Sequence, residues 1–130
     1  MDETDLKILE ILKQNAREKY VEIAKAVGLT EGAVRRRFQE LVKQGIIKRF
    51  TIETTVEFEG IVLIKTEPTH TKDVTTAIRR IADRVFETSG DYDVAAWIQA
   101  QTMEELNHKI DEIRRLPVVL STNTLVKLTE

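Results

Sequence analysis

Residues 20–44 of the chain read YVEIAKAVGLTEGAVRRRFQELVKQ, and this stretch decides the fold of the first half. Apolar residues recur at helical spacing on both sides of Gly28, a residue type that often ends helices. Thr30 is a good N-cap for the helix that follows. A short helix, a tight turn and a longer helix are the parts of a helix-turn-helix, so the stretch predicts this motif.

The pattern continues on both sides of this stretch. Residues 2–15 have apolar side chains at the i, i+3, i+4 spacing of an amphipathic helix. Residues 47–55 are rich in apolar and β-branched side chains, which predicts a strand. Three helices and a strand make a winged helix-turn-helix. We predict this domain over residues 1–50, followed by a linker strand or hinge over 51–60.

The second half, residues 61–130, predicts a strand, a helix, two strands, a helix and a strand. Between the second and third strands, the sequence GDYD of residues 90–93 predicts a hairpin turn. Thr102 and Glu105 have the spacing of a capping box for the last helix, and Pro117 ends it. The order βαββαβ is that of a ferredoxin-like domain, so the whole chain is predicted to be α+β. The predicted strands are 61–67, 85–89, 94–101 and 118–128, and the first predicted helix is 73–84.

The charge of the chain is unevenly distributed. The whole chain has 20 Lys and Arg against 22 Asp and Glu, a net charge of -2. Residues 1–50 have 11 basic against 8 acidic side chains, whereas residues 51–130 have 9 against 14. Residues 35–49 contain six Lys or Arg and a single acidic residue, Glu40. This asymmetry favours a polyanionic partner for the first half alone.

The longer helix of the motif has an inner and an outer side. At about 100° per residue, Val34, Phe38 and Leu41 face inward, with Val42 on the same side. Arg37 points to the edge of the core, where we expect a structural hydrogen bond. An outward stripe of Arg and Gln suits the major groove, where Arg can bridge guanine and Gln can bridge adenine; the alternative is a solvated helix face. The candidate DNA-binding residues are Thr30, Gly32, Arg35, Arg36, Gln39, Lys43, Lys48 and Arg49.

Several classes of function find no support in the sequence. Cysteine is absent, which excludes disulfides and thiolate sites. The longest apolar run, residues 94–98, is far shorter than the ~20 residues of a membrane span, and the N-terminus is acidic where a signal peptide would be basic. His70 and His108 have no catalytic partner pattern near them in the sequence, so we expect solvated histidines. Asp91 and Asp93, two carboxylates without further ligands, are a weak signal for a metal site. We expect a cytoplasmic protein with no membrane partner, no metal, no cofactor and no catalytic residue.

Taken in order, motifs along the whole chain resemble those of the Lrp/AsnC family of transcription regulators. The turn at residues 90–93 stands where the family has its G-x-x-D turn. The sequence departs from the family at residues 19–20 (KY), where a small capping Ser or Thr is common, and in a short linker. Archaeal members that respond to amino acids, lysine among them, are the most similar. The matching segments of the first half are 1–9 (MDETDLKIL), 15–17 (NAR), 22–24 (EIA), 27–30 (VGLT), 34–37 (VRRR) and 41–47 (LVKQGII).

The resemblance implies a small-molecule site beside that turn. Asp93 would pair with the α-ammonium group of an amino-acid effector, and backbone amides near Gly90 would bind its carboxylate. Polar residues of the last strand would complete the pocket. The alternative is an ordinary β-turn in which Asp and Gly serve the backbone alone. The candidate effector-binding residues are Gly90, Asp91, Tyr92, Asp93, Thr122 and Thr124, together with Asn123.

The second half also predicts self-association. A βαββαβ domain covers one face of its sheet with helices and leaves the other face open. We expect Val62, Ile64, Ala96 and Ile98 to expose apolar surface on the open face, with Trp97 on the opposite face, so that two chains pair their sheets. A homodimer also suits DNA, whose half-sites lie about one helical turn apart. The resemblance implies a higher oligomer, such as an octamer.

Together these features predict a homo-oligomeric, sequence-specific transcription regulator. It would bind double-stranded DNA, and its affinity or assembly would respond to an amino acid. Two alternatives stay open. The βαββαβ half fits an amino-acid-binding regulatory subunit of a biosynthetic enzyme, with the helices as a docking module. The helix-turn-helix half fits an architectural DNA-binding protein without an effector.

Overall fold

The computed structural model describes residues 1–129, and the chain divides into two compact units, Met1–Glu53 and Thr54–Glu130. The first unit consists of helices, and the second consists of a sheet and helices, which confirms the predicted α+β class. Each unit has its own hydrophobic core. The fold of each unit therefore follows from its own residues.

Local signals explain where the helices of the first unit begin and end. The first helix starts with a capping box in which Asp2 and Asp5 accept bonds from each other's backbone N–H groups. The second ends at Gly28, whose φ of 72° lies in the left-handed region that favours glycine. The third starts at Thr30, whose Oγ1 accepts a backbone N–H of the first turn at 3.2 Å, as predicted. The helices are α1 (Glu3–Gln14), α2 (Tyr20–Val27) and α3 (Glu31–Lys43).

The core of the first unit draws on all three helices. Val42 is 40% exposed, so its predicted place on the inner side of α3 is wrong. The reason is helical geometry, because residue 42 lies about 80° around the helix from Val34. Leu6 of α1 is likewise at the edge of the apolar stripe and is 53% exposed. The buried core residues are Ile8, Ile23, Ala24, Val34 and Leu41.

The predicted strand over residues 47–55 is not formed. The chain there pairs with no neighbour in the part of the chain that the structure describes. A strand needs a second backbone to exchange hydrogen bonds with, and β-branched side chains do not supply one. Ile52 is consequently 81% exposed and Val56 76%. Phe50 instead places its ring 5.7 Å from that of Phe38 in α3.

The second unit has the predicted order βαββαβ. Its strands are β1 (Phe58–Thr66), β2 (Arg84–Glu87), β3 (Val94–Ala100) and β4 (Val119–Val126), and its helices are α4 (Thr71–Ile78) and α5 (Met103–Arg114). The sheet is antiparallel, in the order β2-β3-β1-β4. Residues 88–93 join β2 to β3, so the predicted hairpin turn at 90–93 is confirmed as part of a slightly longer connection. A single 3-10 turn, Pro68–His70, leads from β1 into α4.

Helix α4 ends at Ile78, six residues before the predicted end at residue 84. The backbone N–H groups of Ile81 and Ala82 both donate to the carbonyl of Ile78, which closes a tight turn. Ile81 and Ala82 still pack against the core, so the apolar periodicity continues past the end of the helix. Arg84 then begins β2 instead of ending α4.

Helix α5 begins where the sequence predicts. The Oγ1 of Thr102 accepts the N–H of Glu105 at 3.1 Å. The Glu105 carboxylate accepts the N–H of Gln101, one residue before the position that a capping box requires. The reciprocal half of the predicted capping box is therefore displaced by one residue.

The expected faces of the sheet need a correction. Val62, Ile64, Ala96 and Ile98 are fully buried in the core with α4 and α5, and not on the open face. Side chains alternate along a strand, but the alternation alone does not say which face the helices cover. Trp97 does lie on the opposite face from Ala96 and Ile98, as predicted. That open face presents the apolar side chains of Ile61, Leu63, Phe86, Trp97 and Leu125.

Glu59 is the centre of a polar cluster on the open face. Its carboxylate accepts hydrogen bonds from Trp97 Nε1 at 3.2 Å, Gln99 Nε2 at 2.8 Å and Lys127 Nζ at 2.7 Å. The bond from Lys127 has the largest effect and, with that from Gln99, lowers the pKa of Glu59 below its ordinary value of 4.5. The cluster ties the start of β1 to β3 and to the chain that follows β4.

We expect the second unit to lose stability in acid through Glu59. Because folding depresses the pKa of this carboxyl, its stabilising contribution is complete above pH 4.5 and disappears as the pH falls towards the folded value. Urea unfolding followed by the fluorescence of Trp97, the single tryptophan, measures this loss. In the unaltered protein the urea midpoint should fall as the pH drops below 4.5, and Glu59→Gln should make this fall smaller. Glu104→Gln, at an exposed position of α5, should leave the fall unchanged. Identical profiles for all three proteins would contradict the role of Glu59.

Candidate DNA interface and ligand cavity

Helix α3 turns one side to the core of the first unit and a polar side to solvent. Val34 and Leu41 are buried and Phe38 is half-buried on the inner side, as predicted. Gly32 leaves open space in the first turn of the exposed side, where an added Cβ would meet nothing within 4 Å. The structure brings together on this helix the exposed candidates Gly32, Arg35, Arg36, Gln39 and Lys43, with Thr30 at its N-cap.

Arg37 is bound to the start of α1. Its Nη1 donates to the two carboxylate oxygens of Asp2 at 2.9 and 2.8 Å and to Oδ1 of Asp5 at 3.1 Å. These bonds, that to Asp2 first, raise the pKa of Arg37, and the same bond lowers the pKa of Asp2. The structural hydrogen bond predicted for Arg37 is confirmed.

Arg35 is held on the flank of α3. Its Nη2 lies 3.1 Å from Oε1 of Glu31, one turn earlier. Its guanidinium carbon also lies 5.2 Å from the centroid of the Tyr20 ring, within the distance of a cation–π contact. The side chain nevertheless stays 54% exposed. Arg35 is thus ordered by the protein and still accessible to a partner.

The side chains of Arg36, Gln39 and Lys43 have donors without a partner among residues 1–129. For these three side chains and that of Lys48, the structure describes no hydrogen bond or ion pair in that range. Arg49 is exposed on the same basic stretch. Exposed, unengaged Arg, Gln and Lys side chains on a helix are able to bind base edges and phosphates. Helix α3 therefore presents the groups that DNA recognition requires.

Asp93 holds the turn between β2 and β3 against β1. Its Oδ2 accepts the N–H of Thr66 at 2.9 Å, and its own N–H donates to the carbonyl of Ile64 at 2.9 Å. Its carbonyl accepts the N–H of Thr88 at 2.9 Å. Gly90 has a φ of 105°, which a residue with a Cβ rarely adopts. The turn thus has a clear backbone role, and no bond to Oδ1 of Asp93 is described within residues 1–129.

A cavity of about 530 Å³ opens beside Asp93. One wall comes from the segment that leads into α4, and the other from the end of β2. Two carboxylates and one ammonium group line it, with threonine hydroxyls between them. The lining residues are Pro68, Thr69, Thr71, Lys72, Glu87, Thr88 and Asp93.

The other effector candidates do not line this cavity. Gly90 and Asp91 form the exposed turn, and Tyr92 has its ring 5.8 Å from Nζ of Lys65. On β4, Thr122 and Thr124 pair with the buried residues of β1 and so face the helices. Asn123 alternates with them and lies on the open face. Of the candidates from the sequence, only Asp93 reaches the cavity.

Sequence reasoning missed Lys72 and Glu87. Lys72 lies in the first turn of α4, just after β1, and Glu87 is the last residue of β2. Both strands pair antiparallel with β3, so their ends meet at the same edge of the sheet. The predicted βαββαβ order already contained this signal, because it places the residues that follow β1 and β2 together.

Two other kinds of site are not found in residues 1–129. No helix there is both long and apolar enough to cross a membrane. No group of three or more His, Cys, Asp or Glu side chains in that range is arranged to hold a metal ion.

The two units correspond to two known domain types. Residues 1–48 match the model of a winged helix-turn-helix DNA-binding domain, and residues 59–130 match that of the Lrp/AsnC ligand binding domain. A DNA-binding domain followed by a ligand-binding domain defines a class of protein, the ligand-responsive transcription regulator. The chain belongs to the Lrp/AsnC family of transcription regulators.

Individual relatives extend over the whole chain. The HTH-type transcriptional regulator LysM of Sulfurisphaera tokodaii is 45% identical over 133 residues, which cover 98% of this chain and 95% of the relative. The crystal structure of PH0061 has a TM-score of 0.85 at 25% identity and covers 98% of this chain and 92% of its own. The transcriptional regulator NMB0573 of Neisseria meningitidis, solved in complex with L-Met, has a TM-score of 0.73 at 21% identity, covering 100% and 91%. That last likeness concerns the fold alone.

Proposed function

We propose that this regulator reads a specific DNA sequence with α3 and that a basic amino acid in the cavity beside Asp93 alters its DNA binding or assembly. The observation that supports the first part is the set of unengaged donors on α3, Arg36, Gln39 and Lys43. Arg36 would bind a guanine edge and Gln39 an adenine edge, while Lys43 and Lys48 bind phosphates. Thr30, Gly32 and Arg49 would contact the sugar-phosphate backbone of the DNA near the two ends of α3.

Selection from a random DNA library tests the DNA-binding role. We expect the protein to enrich one sequence and to bind it at least about a thousandfold more tightly than scrambled DNA at equal salt. The affinity should fall steeply with salt, because Lys and Arg displace counterions from phosphates. Equal affinity for the enriched and the scrambled duplex would contradict sequence-specific binding and favour an architectural DNA-binding protein.

The charges of the cavity support a basic amino acid as the effector. Lys72 can bind an α-carboxylate, and the two carboxylates, Glu87 and Asp93, can bind two ammonium groups. An amino acid with a neutral side chain would leave one of the carboxylates unpaired. Asp93 retains Oδ1 for this contact, because Oδ2 accepts the N–H of Thr66. The fold of this unit is also that of a regulator solved with a bound amino acid, NMB0573.

Calorimetric titration with each of the twenty amino acids measures this preference. We expect lysine or arginine to give the strongest binding. Glu87→Gln should lower the affinity for that ligand about five- to 150-fold, because the change removes one charge-assisted hydrogen bond worth about 1–3 kcal/mol. Glu104→Gln, on exposed α5 and outside the cavity, is the matched control. Unchanged affinity in Glu87→Gln, or no heat with any amino acid, would contradict the effector site.

The proposal includes a homodimer formed through the open face of the sheet. On that face Ile61 is 43% exposed, Phe86 47% and Leu125 52%. Large exposed apolar side chains on one face often mark a protein–protein interface. A second copy of the chain is the occupant that also supplies a second helix-turn-helix for a two-half-site operator. Leu125→Glu should shift the sedimentation velocity of the protein towards that of a monomer. Further association of dimers, to an octamer, belongs to the same proposal.

The proposed role is a binding role, without catalysis. The protein would act in the cytoplasm, where a prokaryotic chromosome is found. An amino-acid-binding regulatory subunit is the rival from another class. Stable co-purification with an enzyme, together with failure to retain DNA, would favour that rival over the regulator.

A further inference from the structure

Tyr20 begins α2 at the position where the sequence departs from the capping residues common in its family. The N-cap of α2, Lys19, makes no side-chain hydrogen bond. Tyr20 does not cap the helix, but its ring contacts α3 at two places. The guanidinium carbon of Arg35 lies 5.2 Å from its centroid, and the ring of Phe38 lies 5.5 Å away at an angle of 61°. Tyr20 therefore links the start of α2 to both the polar and the apolar side of α3.

The contacts continue to the point where the chain leaves the helices. The ring of Phe38 lies 5.7 Å from that of Phe50, at an angle of 30°. Ring separations of about 4.5–7 Å are attractive for aromatic pairs. Phe50, Phe38 and Tyr20 thus form a continuous line of three rings, here called the aromatic row. The row ends at the guanidinium of Arg35.

We propose that the aromatic row positions Arg35 for base contact, so that the path of the chain at Phe50 affects what Arg35 reads. This inference rests on the proposed DNA-binding role of α3. Bidentate contact with guanine requires one orientation of the guanidinium plane. The Tyr20 ring and the Glu31 carboxylate restrict that plane before DNA arrives, and pre-ordering a long side chain reduces the entropy lost on binding.

Arg35 is then a specificity-determining residue, and Tyr20 and Phe50 are positioning residues. A purely structural role for the row predicts something different. In that case the loss of Tyr20 would change stability, but its effect on DNA binding would not depend on Arg35. The coupling between Tyr20 and Arg35 on specific DNA distinguishes the two roles.

The test uses the full chain and the DNA sequence that the unaltered protein selects from a random library. Dissociation constants are measured on this duplex, on its single-base variants and on scrambled DNA. The proteins compared are Tyr20→Leu, Phe50→Leu, Arg35→Ala and the two double variants that include Arg35→Ala. Ile52→Ala is the control, since Ile52 lies in the same segment and is 81% exposed. Thermal unfolding of each protein accompanies the binding data.

We expect Tyr20→Leu to weaken binding to the selected duplex about three- to tenfold, the entropy that pre-ordering one long side chain saves on binding, and to leave scrambled DNA unaffected. Phe50→Leu should give a smaller loss of the same kind. Neither change should matter in the Arg35→Ala background, and the base preference lost should be the same one that Arg35→Ala loses. Ile52→Ala should bind like the unaltered protein.

Equal losses with and without Arg35, or equal losses on both duplexes, would overturn the inference. If Tyr20→Leu does not fold, Phe50→Leu still decides, because Phe50 is 60% exposed and outside the buried core. If the unaltered protein selects no sequence, the proposed DNA-binding role itself fails. If it selects one and the row variants act independently of Arg35, only the present inference fails.

Discussion

Replacing Arg36 by alanine is expected to weaken binding to the selected DNA site by about 1–3 kcal/mol, which is about five- to 150-fold. Arg36 is exposed on α3, opposite the buried Val34 and Leu41, and no protein group among residues 1–129 occupies its guanidinium. Its loss should therefore act on the complex alone and leave the fold intact. The loss should be concentrated at one base pair, where the variant no longer prefers guanine. Binding to a panel of single-base variants measures both quantities.

Two matched variants separate base contact from charge. Arg36→Lys keeps the positive charge but loses the bidentate geometry. It should therefore keep the part of the DNA affinity that comes from attraction to phosphates, and still lose the base preference. Arg37→Ala removes the same side chain from the next position of α3. Because Arg37 is bound to Asp2 and Asp5, this change should lower the melting temperature and leave the base preference unchanged. Uniform weakening of Arg36→Ala on every duplex would instead make Arg36 a phosphate contact.

Replacing Ile23 by alanine is expected to destabilise the helical unit by about 2–5 kcal/mol. Ile23 is fully buried, and it is one of only five buried residues identified in the core of this unit within the described chain. Small units bury a smaller share of their surface and are less stable, so such a loss is a large part of their total. Far-ultraviolet circular dichroism should show that the helices melt at a lower temperature. The variant should also bind DNA more weakly in a binding assay.

Val21→Ala is the control for this effect. Val21 belongs to the same helix and is 42% exposed, so its truncation leaves no cavity and should cost far less stability. The second unit, followed by the fluorescence of Trp97, should unfold at the same urea concentration in both variants. Equal melting temperatures for Ile23→Ala and Val21→Ala would contradict the assigned core.

The helices of the first unit can be predicted almost to the residue, because their signals are local. Gly28 and Thr30 act on backbone groups within one turn of themselves, and each has the predicted effect. Features that depend on residues far away in the sequence are harder to predict. Residues 47–55 have the composition of a strand but no backbone to pair with, and the apolar periodicity of α4 continues through Ile81 after the helix has ended.

The candidate sites divide in the same way. The outer side of α3 follows from helical geometry, so Arg36 and Gln39 could be placed on it from the sequence, and Arg37 on the edge of the core. The cavity could not be found so directly, because its charged residues come from three separate segments of the chain. Asp93 has a recognisable turn around it, whereas Lys72 and Glu87 become neighbours only through the pairing of β1 and β2 with β3.

The three adjacent arginines of α3 differ in how freely they can change during evolution. Arg37 is joined to α1, so a replacement there calls for a compensating change at Asp2 or Asp5. Arg35 depends on Tyr20 and Glu31 in the same manner. Arg36 makes no hydrogen bond, ion pair or ring contact in the described chain that would have to change with it. As related regulators diverge towards new operators, position 36 is therefore where a new base preference should be acquired first.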